Sequence, residues 1–350
     1  MNPRSLFGTV ACAILVLAIS SSAVLGQDLP KDNDLPTGDC DLDCCPPCCC
    51  PRWTASADFI LMDRIGSFNQ TLVETVPKSQ SPSDPGAEML NANDLQPGFS
   101  GGPRLGLIRH GDSGYDLELS YFQIDGWNSY QSIGPTPDYW LVMKAPGDFL
   151  QTQDDKDKQM MAWNYASRLY NAELNVRWNP CTRITMLAGF RWINLSEEMQ
   201  GKLPPERSVP FWDTNARNNL YGFQIGAAGK LFERGRFSID GVVKAGIFDN
   251  DAKETTGVSI YRTVYQESAS TNYAAFLGET GLQCKYQVTQ KLLLKVGYEA
   301  MWLQGVALAP AQIQETLSHI RPPVGVQALG IDSGSGVFYH GATAGLEFSF

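Results

Sequence analysis

The chain has 350 residues, of which 43% are hydrophobic and 18% are charged. The charged fraction lies below the roughly 25% of soluble domains, and the apolar content is too high for an intrinsically disordered chain. Acidic residues outnumber basic ones by 37 to 27, so the net charge is −10, which argues against general binding to nucleic-acid phosphates. The length fits two average domains or one large all-β unit.

The N-terminus is predicted to be a cleaved export signal. Arg4 precedes an uncharged, mostly apolar run from Leu6 to Leu25, and small residues continue to Gly26. A basic start, an apolar stretch and small residues before a polar segment are the layout of a secretory signal peptide. We expect residues 1–26 to be removed. An uncleaved membrane anchor is the alternative, because the run approaches the roughly 20 residues that span a bilayer.

Residues 27–51 are predicted to form an acidic, cysteine-rich periplasmic tail, with six aspartates against the single base Lys31. Six cysteines fall within eleven residues: Cys40, Cys44, Cys45, Cys48, Cys49 and Cys50. Neighbouring cysteines pair only with strain, and the intervening Pro-Pro pair restricts folding back. We therefore expect bonds to another chain, to another copy or to Cys181, with periplasmic or cell-wall material as the partner. The Cys45-Pro-Pro-Cys48 spacing leaves metal or redox chemistry open, although a second such pair is missing.

Alternation of apolar and polar residues dominates the rest of the chain. Apolar residues take every second position from Tyr170 to Trp178, from Leu292 to Trp302 and from Ala342 to Phe350. Such period-2 runs with one apolar face predict β-strands. Ten of these runs occur, at about residues 52–64, 99–109, 114–125, 164–179, 183–200, 217–233, 236–249, 271–287, 291–304 and 336–350.

The connections between these runs alternate in length. Tight turns near residues 110–113, 179–182, 233–236 and 288–290 alternate with long segments rich in Pro, Gly, Asp and Asn. An even strand count with short turns on one side and long loops on the other is typical of bacterial outer-membrane barrels. The sequence therefore predicts an all-β fold, a transmembrane antiparallel up-and-down β-barrel over residues 52–350 that contacts outer-membrane lipid. A soluble β-sandwich is the alternative, but its loops need not alternate in this way.

The two faces of the predicted strands differ in chemistry. The apolar face carries aromatic residues near strand ends, as interfacial girdles do: Trp53, Tyr115, Trp178, Trp192, Trp302 and Phe350. The opposite face carries mixed charges that are predicted to line the lumen: Asp58, Arg104, Glu279, Lys285 and a network of Asp116, Glu118, Glu173, Arg177, Arg191, Asp240, Lys244, Lys295, Glu299 and Glu347. A ten-stranded barrel is narrow, so we expect these charges to pair and block flow; a narrow charged pore is the alternative.

Three histidines limit the catalytic options. His340 shares the parity of the lipid-facing residues, whereas His110 falls at a turn and His319 on a long loop, and no catalytic Asp–His pair at close spacing is predicted. The adjacent Glu197 and Glu198 are expected at a solvated rim. Nucleotide-binding, zinc-protease and serine-hydrolase motifs are missing from the sequence. We therefore predict a protein without enzymatic activity and without a cofactor.

Three motifs carry a resemblance to a known family. They are the segment Arg52-Trp-Thr-Ala-Ser-Ala-Asp-Phe59 after the cysteine-rich tail, the segment Gly189-Phe-Arg-Trp-Ile-Asn-Leu-Ser-Glu-Glu198, and the terminal Phe350 on an amphipathic strand. Together they resemble the planctomycete-type outer-membrane β-barrel proteins of the BBP family. The resemblance implies an outer-membrane barrel over nearly all of the chain after its leader, and it supplies no catalytic residues.

These observations predict a structural component of the cell envelope. Its long loops face outward, and its cysteine-rich tail anchors or cross-links it to periplasmic material. A small diffusion channel is the first alternative, and a surface-acting enzyme is the second.

Overall fold

A computed structural model describes residues 51–350 except for eleven short gaps. The gaps are residues 67–68, 82–83, 135–136, 144–149, 152–159, 182, 205–209, 261–262, 314–319, 322–324 and 327–329. The predicted signal peptide and the predicted tail up to residue 50 lie outside the described residues. No helix in the described part of the chain is both long enough and apolar enough to cross a membrane.

The described part is built almost entirely from β-strands. In chain order they are β1 (Trp53–Gly66), β2 (Thr71–Pro77), β3 (Ala87–Asn91), β4 (Phe99–Arg109), β5 (Tyr115–Ile133), β6 (Tyr139–Met143), β7 (Leu150–Gln151), β8 (Met161–Cys181), β9 (Ile184–Lys202), β10 (Trp212–Arg234), β11 (Phe237–Ile260), β12 (Thr263–Gln287), β13 (Leu292–Val306), β14 (Ile320–Arg321), β15 (Gly325–Val326) and β16 (Ser335–Ser349). A 3-10 helix covers Ala92–Leu95, and a short helical turn covers residues 309–313.

Ten of these strands form a closed antiparallel barrel, which confirms the predicted fold class. Following the hydrogen bonds, the order is β1, β4, β5, β8, β9, β10, β11, β12, β13, β16 and back to β1. The closing pair runs from Thr54 opposite Ser349 to Gly66 opposite Val337. Each barrel strand therefore neighbours the preceding and following barrel strands, as the up-and-down topology requires.

One end of the barrel carries the short turns and both ends of the described chain. The backbone N–H groups of Arg52 and Trp53 each donate to the carbonyl of Phe350 over 3.0 Å. Because short turns face the periplasm in outer-membrane barrels, we call this the periplasmic end. A four-stranded sheet in the order β3-β2-β6-β7 lies in the segments that follow β1 and β5 at the opposite, outer end.

Several strands continue beyond their predicted ends. Strand β11 extends to Ile260 instead of residue 249, and β12 begins at Thr263 instead of residue 271. The outward positions of this extension are polar, as in Asp249, Asp251 and Lys253. About 9–11 residues suffice to cross a bilayer, so the additional residues stand outside the membrane. The apolar–polar contrast that marks a membrane strand is lost there, and the alternation pattern no longer identifies the strand.

The outer surface of the barrel carries an apolar band. Its exposed side chains include Phe223, Ile225, Ile247 and Val296. On β8 the outward aromatic residues Tyr170 and Trp178 are eight positions apart, which corresponds to about 26 Å along the strand. After allowance for a strand tilt of about 40°, this spacing spans roughly 20 Å of height, somewhat less than the roughly 25 Å apolar band of outer-membrane barrels.

Glycines on the inward face make room for polar side chains in this narrow barrel. A Cβ atom at Gly345 would lie 2.0 Å from Oδ1 of Asp58, and one at Gly189 would lie 2.3 Å from Oδ1 of Asn175. Both distances are far shorter than a van der Waals contact. The inward pattern of glycine beside charged or amide residues is therefore a packing requirement of the lumen.

Candidate functional site

The lumen contains a compact group of six charged side chains, here called the central cluster. Strands β4, β8, β9, β11, β12 and β13 contribute one member each: Arg104, Glu173, Arg191, Lys244, Glu279 and Glu299. Each residue occupies an inward position of its strand, because successive side chains on a strand point to opposite faces. Three cations and three carboxylates make the cluster formally neutral.

Two carboxylates of the central cluster share two cations. Arg191 Nη1 lies 2.7 Å from Glu279 Oε2 and 3.6 Å from Glu173 Oε1. Lys244 Nζ lies 2.9 Å from Glu173 Oε2 and 3.4 Å from Glu279 Oε1. Each charge therefore faces an opposite charge, which offsets the cost of removing it from water.

Hydrogen bonds complete the cluster. Both terminal nitrogens of Arg104 donate to the carboxylate of Glu299, one of them over 2.7 Å. Gln224 Nε2 donates to Glu173 over 2.7 Å, and Arg191 Nε donates to Asn171 Oδ1 over 2.6 Å. A bidentate arginine–carboxylate pair and amide partners give these buried charges defined geometry. The cluster lies in the lumen at the level of Trp192, which follows Arg191 on β9.

A cavity of about 380 Å³ lies in the lumen on the periplasmic side of the central cluster. Three further ion pairs line its wall. Arg177 Nη1 lies 2.9 Å from Glu118 Oε2, Lys285 Nζ lies 2.7 Å from Asp240 Oδ2, and Lys295 Nζ lies 3.0 Å from Asp58 Oδ2. The cavity is therefore polar and nearly balanced in charge.

An apolar core, here called the outer plug, fills the lumen beyond the central cluster. It joins inward barrel residues such as Trp127 and Trp163 to residues 307–313, the segment that follows β13. Ala307, Leu308 and Ile313 of that segment are completely buried. The small outer sheet contributes buried side chains to the same core. Among the described residues, this core lies between the central cluster and the outer end of the barrel.

Two polar contacts hold the segment 307–313 in the plug. The Asn218 side chain donates to the carbonyl of Ala307 over 2.7 Å and accepts from its N–H over 2.8 Å. Glu197 Oε2 accepts from the N–H of Ala309 over 3.0 Å. Glu197 also pairs with Arg64, and both side chains are almost completely buried. The Arg64 guanidinium lies 5.2 Å from the ring centre of Tyr165, which gives it a further favourable contact.

Comparison with known families identifies the chain. A family model with the description "Putative beta barrel porin-7 (BBP7)" matches residues 162–350, more than half of the sequence. The chain belongs to the BBP7 family. The family resemblance predicted from the sequence motifs is thereby confirmed, and the protein is an outer-membrane β-barrel.

Three solved structures resemble the BBP7 chain in outline. The outer-membrane protease OmpT from Escherichia coli is 11% identical, with coverage of 85% of this chain and 97% of that chain and a TM-score of 0.43. The translocator domain of the autotransporter NalP from Neisseria meningitidis is 7% identical, with coverage of 85% and 88% and a TM-score of 0.38. A FadL homologue from Pseudomonas aeruginosa is 11% identical, with coverage of 85% and 90% and a TM-score of 0.30. Comparison with curated proteins gives no match.

The residues of the predicted charge network in this BBP7 protein lie at two places, deep in the lumen and at the periplasmic rim. Those deep in the lumen belong to the cavity wall, to the central cluster or to both: Glu118, Glu173, Arg177, Arg191, Asp240, Lys244, Lys295, Glu299 and Glu347. Asp116 instead lies at the periplasmic rim. The geometry thus brings together residues from strands that are distant in sequence, and this defines the candidate site of the barrel.

Two expectations about individual residues are wrong. Glu197 is not at a solvated rim but is 3% exposed in the outer plug. Glu197 is six positions from Arg191 on the same strand and therefore points inward as well, a pattern that could have indicated its burial. Asp116 does pair with His110: the His110 Nδ1 to Asp116 Oδ2 distance is 3.2 Å. The two residues are six positions apart, but the tight turn between β4 and β5 folds them together.

The His110–Asp116 pair belongs to a chain of polar contacts at the barrel closure. His110 Nε2 lies 2.9 Å from Thr54 Oγ1, which lies 3.0 Å from Ser349 Oγ. These contacts join β4, β1 and β16 at the periplasmic rim. His340, in contrast, faces outward, with Nδ1 2.6 Å from the Tyr298 hydroxyl.

The cysteine predictions fall largely outside the described residues. This applies to Cys40, Cys44, Cys45, Cys48, Cys49 and Cys50, and to the side chain of Cys181. Cys284 on β12 is half-buried and has no disulfide partner in the described part. Within the same residues, no group of three or more His, Cys, Asp or Glu side chains is arranged to hold a metal ion. Cross-linking and metal binding by the tail stay predictions.

Proposed function

We propose that this BBP7 protein is a closed structural barrel of the cell envelope and not an enzyme. The observation that carries the proposal is the outer plug. Residues 307–313 and large barrel side chains fill the lumen above the central cluster, and the charged residues of that cluster are paired across it. A solute would have to displace both layers to pass.

The packing of the outer plug supports a closed state at rest. Trp127 and Trp163 are fully buried, and the Trp127 indole donates to the carbonyl of Met62 over 3.1 Å. Burying a large side chain stabilises the packed state by about 1.5–3 kcal/mol. Opening the lumen would expose several such side chains and would also separate Arg64 from Glu197. In this role the strand extensions and the outer sheet project from the cell surface.

A small diffusion channel is the second candidate function. Its support is the porin description of the family and the polar cavity of about 380 Å³ that occupies the periplasmic part of the lumen. This function requires the outer plug to move, because the cavity is closed at its outer end.

Planar-bilayer recording separates these two functions. The full chain, folded in detergent as judged by a heat-dependent shift in gel mobility, is expected to insert without discrete conductance steps. In a comparison variant, a short glycine–serine linker replaces residues 307–334 and so removes the loop part of the outer plug. Its conductance is compared with that of the unmodified protein. Discrete steps that scale with salt concentration in the unmodified protein would contradict the closed barrel and support the channel.

We also propose that the chain is exported with a cleaved signal and that the tail at residues 27–51 cross-links it to periplasmic or cell-wall material. The support is the layout of residues 1–26 and the density of cysteines in a compartment where disulfides persist. On non-reducing gels of envelope fractions, higher-mass species are expected that disappear on reduction. Substituting the six tail cysteines by serine should remove them. Identical migration under both conditions, with zinc bound to the purified protein, would favour the metal alternative.

A further inference from the structure

The cavity on the periplasmic side of the central cluster has the form of a binding pocket. Its volume of about 380 Å³ falls within the roughly 300–1,000 Å³ range of small-molecule sites. It is closed at its inner end by a neutral, hydrogen-bonded cluster. A ligand can therefore enter only from the periplasm, and it would meet a polar wall.

Most charges of the cavity wall already have a partner within the wall. Two of them do not: in the described part of the chain, neither Arg183, which directly precedes β9, nor Glu347 on β16 forms a side-chain ion pair. Lys230 on β10 lies beside Arg183, since its backbone N–H donates to the Arg183 carbonyl over 2.9 Å. Among the residues that the structure describes, Lys230 pairs only with the exposed Glu233, and exposed pairs of this kind are weak.

Because the barrel is closed, Glu347 lies on the wall opposite Arg183 and Lys230. In the ring of ten strands, β16 and β9 are five positions apart, and β10 adjoins β9. One side of the cavity therefore offers a carboxylate, and the opposite side offers two cations. Between them lie the paired charges, which contribute no net charge. This arrangement complements a ligand with an ammonium group at one end and a carboxylate at the other.

We propose that the cavity binds short zwitterionic peptides from the periplasm. The peptide ammonium group pairs with Glu347, and its carboxylate pairs with Arg183 and Lys230. A peptide of two or three residues suits the cavity volume, and its amide groups can form hydrogen bonds with the polar wall. The proposal goes beyond the closed structural barrel, because a pocket that is closed at one end can hold a ligand without passing it.

Equilibrium binding to the full chain in detergent micelles tests this site. The probe is trialanine, compared with N-acetyl-trialanine and trialanine amide, each of which retains one charged end. At low ionic strength, where exposed charges are least screened, trialanine is expected to bind saturably and about tenfold more tightly than either capped peptide, a difference of roughly 1.4 kcal/mol.

Charge-removing variants assign the two ends. Glu347→Gln should bind trialanine and N-acetyl-trialanine equally while still favouring trialanine over the amide. Arg183→Gln should keep the preference over N-acetyl-trialanine but reduce the preference over the amide, because Lys230 is then the remaining cation at that end. Lys253→Gln changes an exposed residue on the outer part of β11 and should retain the full preference. Absence of saturable trialanine binding, or an unchanged preference in both wall variants, would overturn the proposal. Conductance plays no part in this readout, so failure here is distinct from failure of the closed barrel.

Discussion

Replacing Arg64 by methionine is expected to lower the free energy of unfolding by about 3–5 kcal/mol, the range for breaking a buried ion pair by removal of one partner. The substitution leaves the Glu197 carboxylate in the apolar outer plug with the Ala309 N–H as a remaining donor. An uncompensated buried charge is more costly than the loss of the pair itself. Urea unfolding of the barrel in lipid vesicles, followed by tryptophan fluorescence, measures the change.

A second substitution distinguishes the charge effect from a packing effect. In the double variant Arg64→Met, Glu197→Gln, the carboxylate becomes a neutral amide that still accepts from Ala309. We expect it to recover more than half of the lost stability. Arg217→Met is the matched control, because Arg217 is exposed on the outer part of β10 and such changes usually alter stability by less than about 0.5 kcal/mol. If the double variant is as unstable as Arg64→Met, the uncompensated charge of Glu197 is not the cause of the lost stability.

Arg191→Met should destabilise the barrel by a similar amount, about 3–5 kcal/mol. Arg191 bridges Glu279 and Glu173, and its removal leaves two carboxylates with Lys244 as their shared cation. The amide oxygen of Asn171 also loses its donor. The same urea titration gives the change in midpoint, and an unchanged slope would indicate that the unfolded state is not altered.

Restoring charge balance should reverse part of this loss. The double variant Arg191→Met, Glu279→Gln has one cation and one carboxylate at the shared position, so it is expected to be more stable than Arg191→Met alone. Arg217→Met again serves as the control. Equal stability of Arg191→Met and Arg217→Met would mean that the central cluster does not depend on Arg191, and the proposed closed lumen would then depend on the outer plug alone.

Local patterns in the sequence were sufficient to predict the barrel. The ten barrel strands coincide with the ten predicted runs, because a strand between lipid and a polar lumen must alternate in character at every residue. The pattern fails at the outer ends of β11 and β12, where the outward side chains meet water and the inward ones meet the plug. Strand ends were therefore less predictable than strand positions.

The contacts inside the lumen were beyond the reach of local patterns. The alternation assigned Arg191 and Glu279 to the inward face, but their sequence separation of 88 residues gives no sign that they are 2.7 Å apart. Only closure of β1 onto β16 fixes which strands stand opposite each other. The same holds for Arg183 and Glu347, whose opposition across the cavity follows from ring order.

The sequence by itself determined the fold class, the strand positions, the lipid-facing surface and the charged character of the lumen, because each depends on neighbouring residues along one strand. The tertiary structure alone decided how the charges pair, that Glu197 is buried, that His110 contacts Asp116, and that residues 307–313 are buried in the outer plug. These features depend on ring closure and on a loop folding inward, and both bring together residues whose separation in sequence is large.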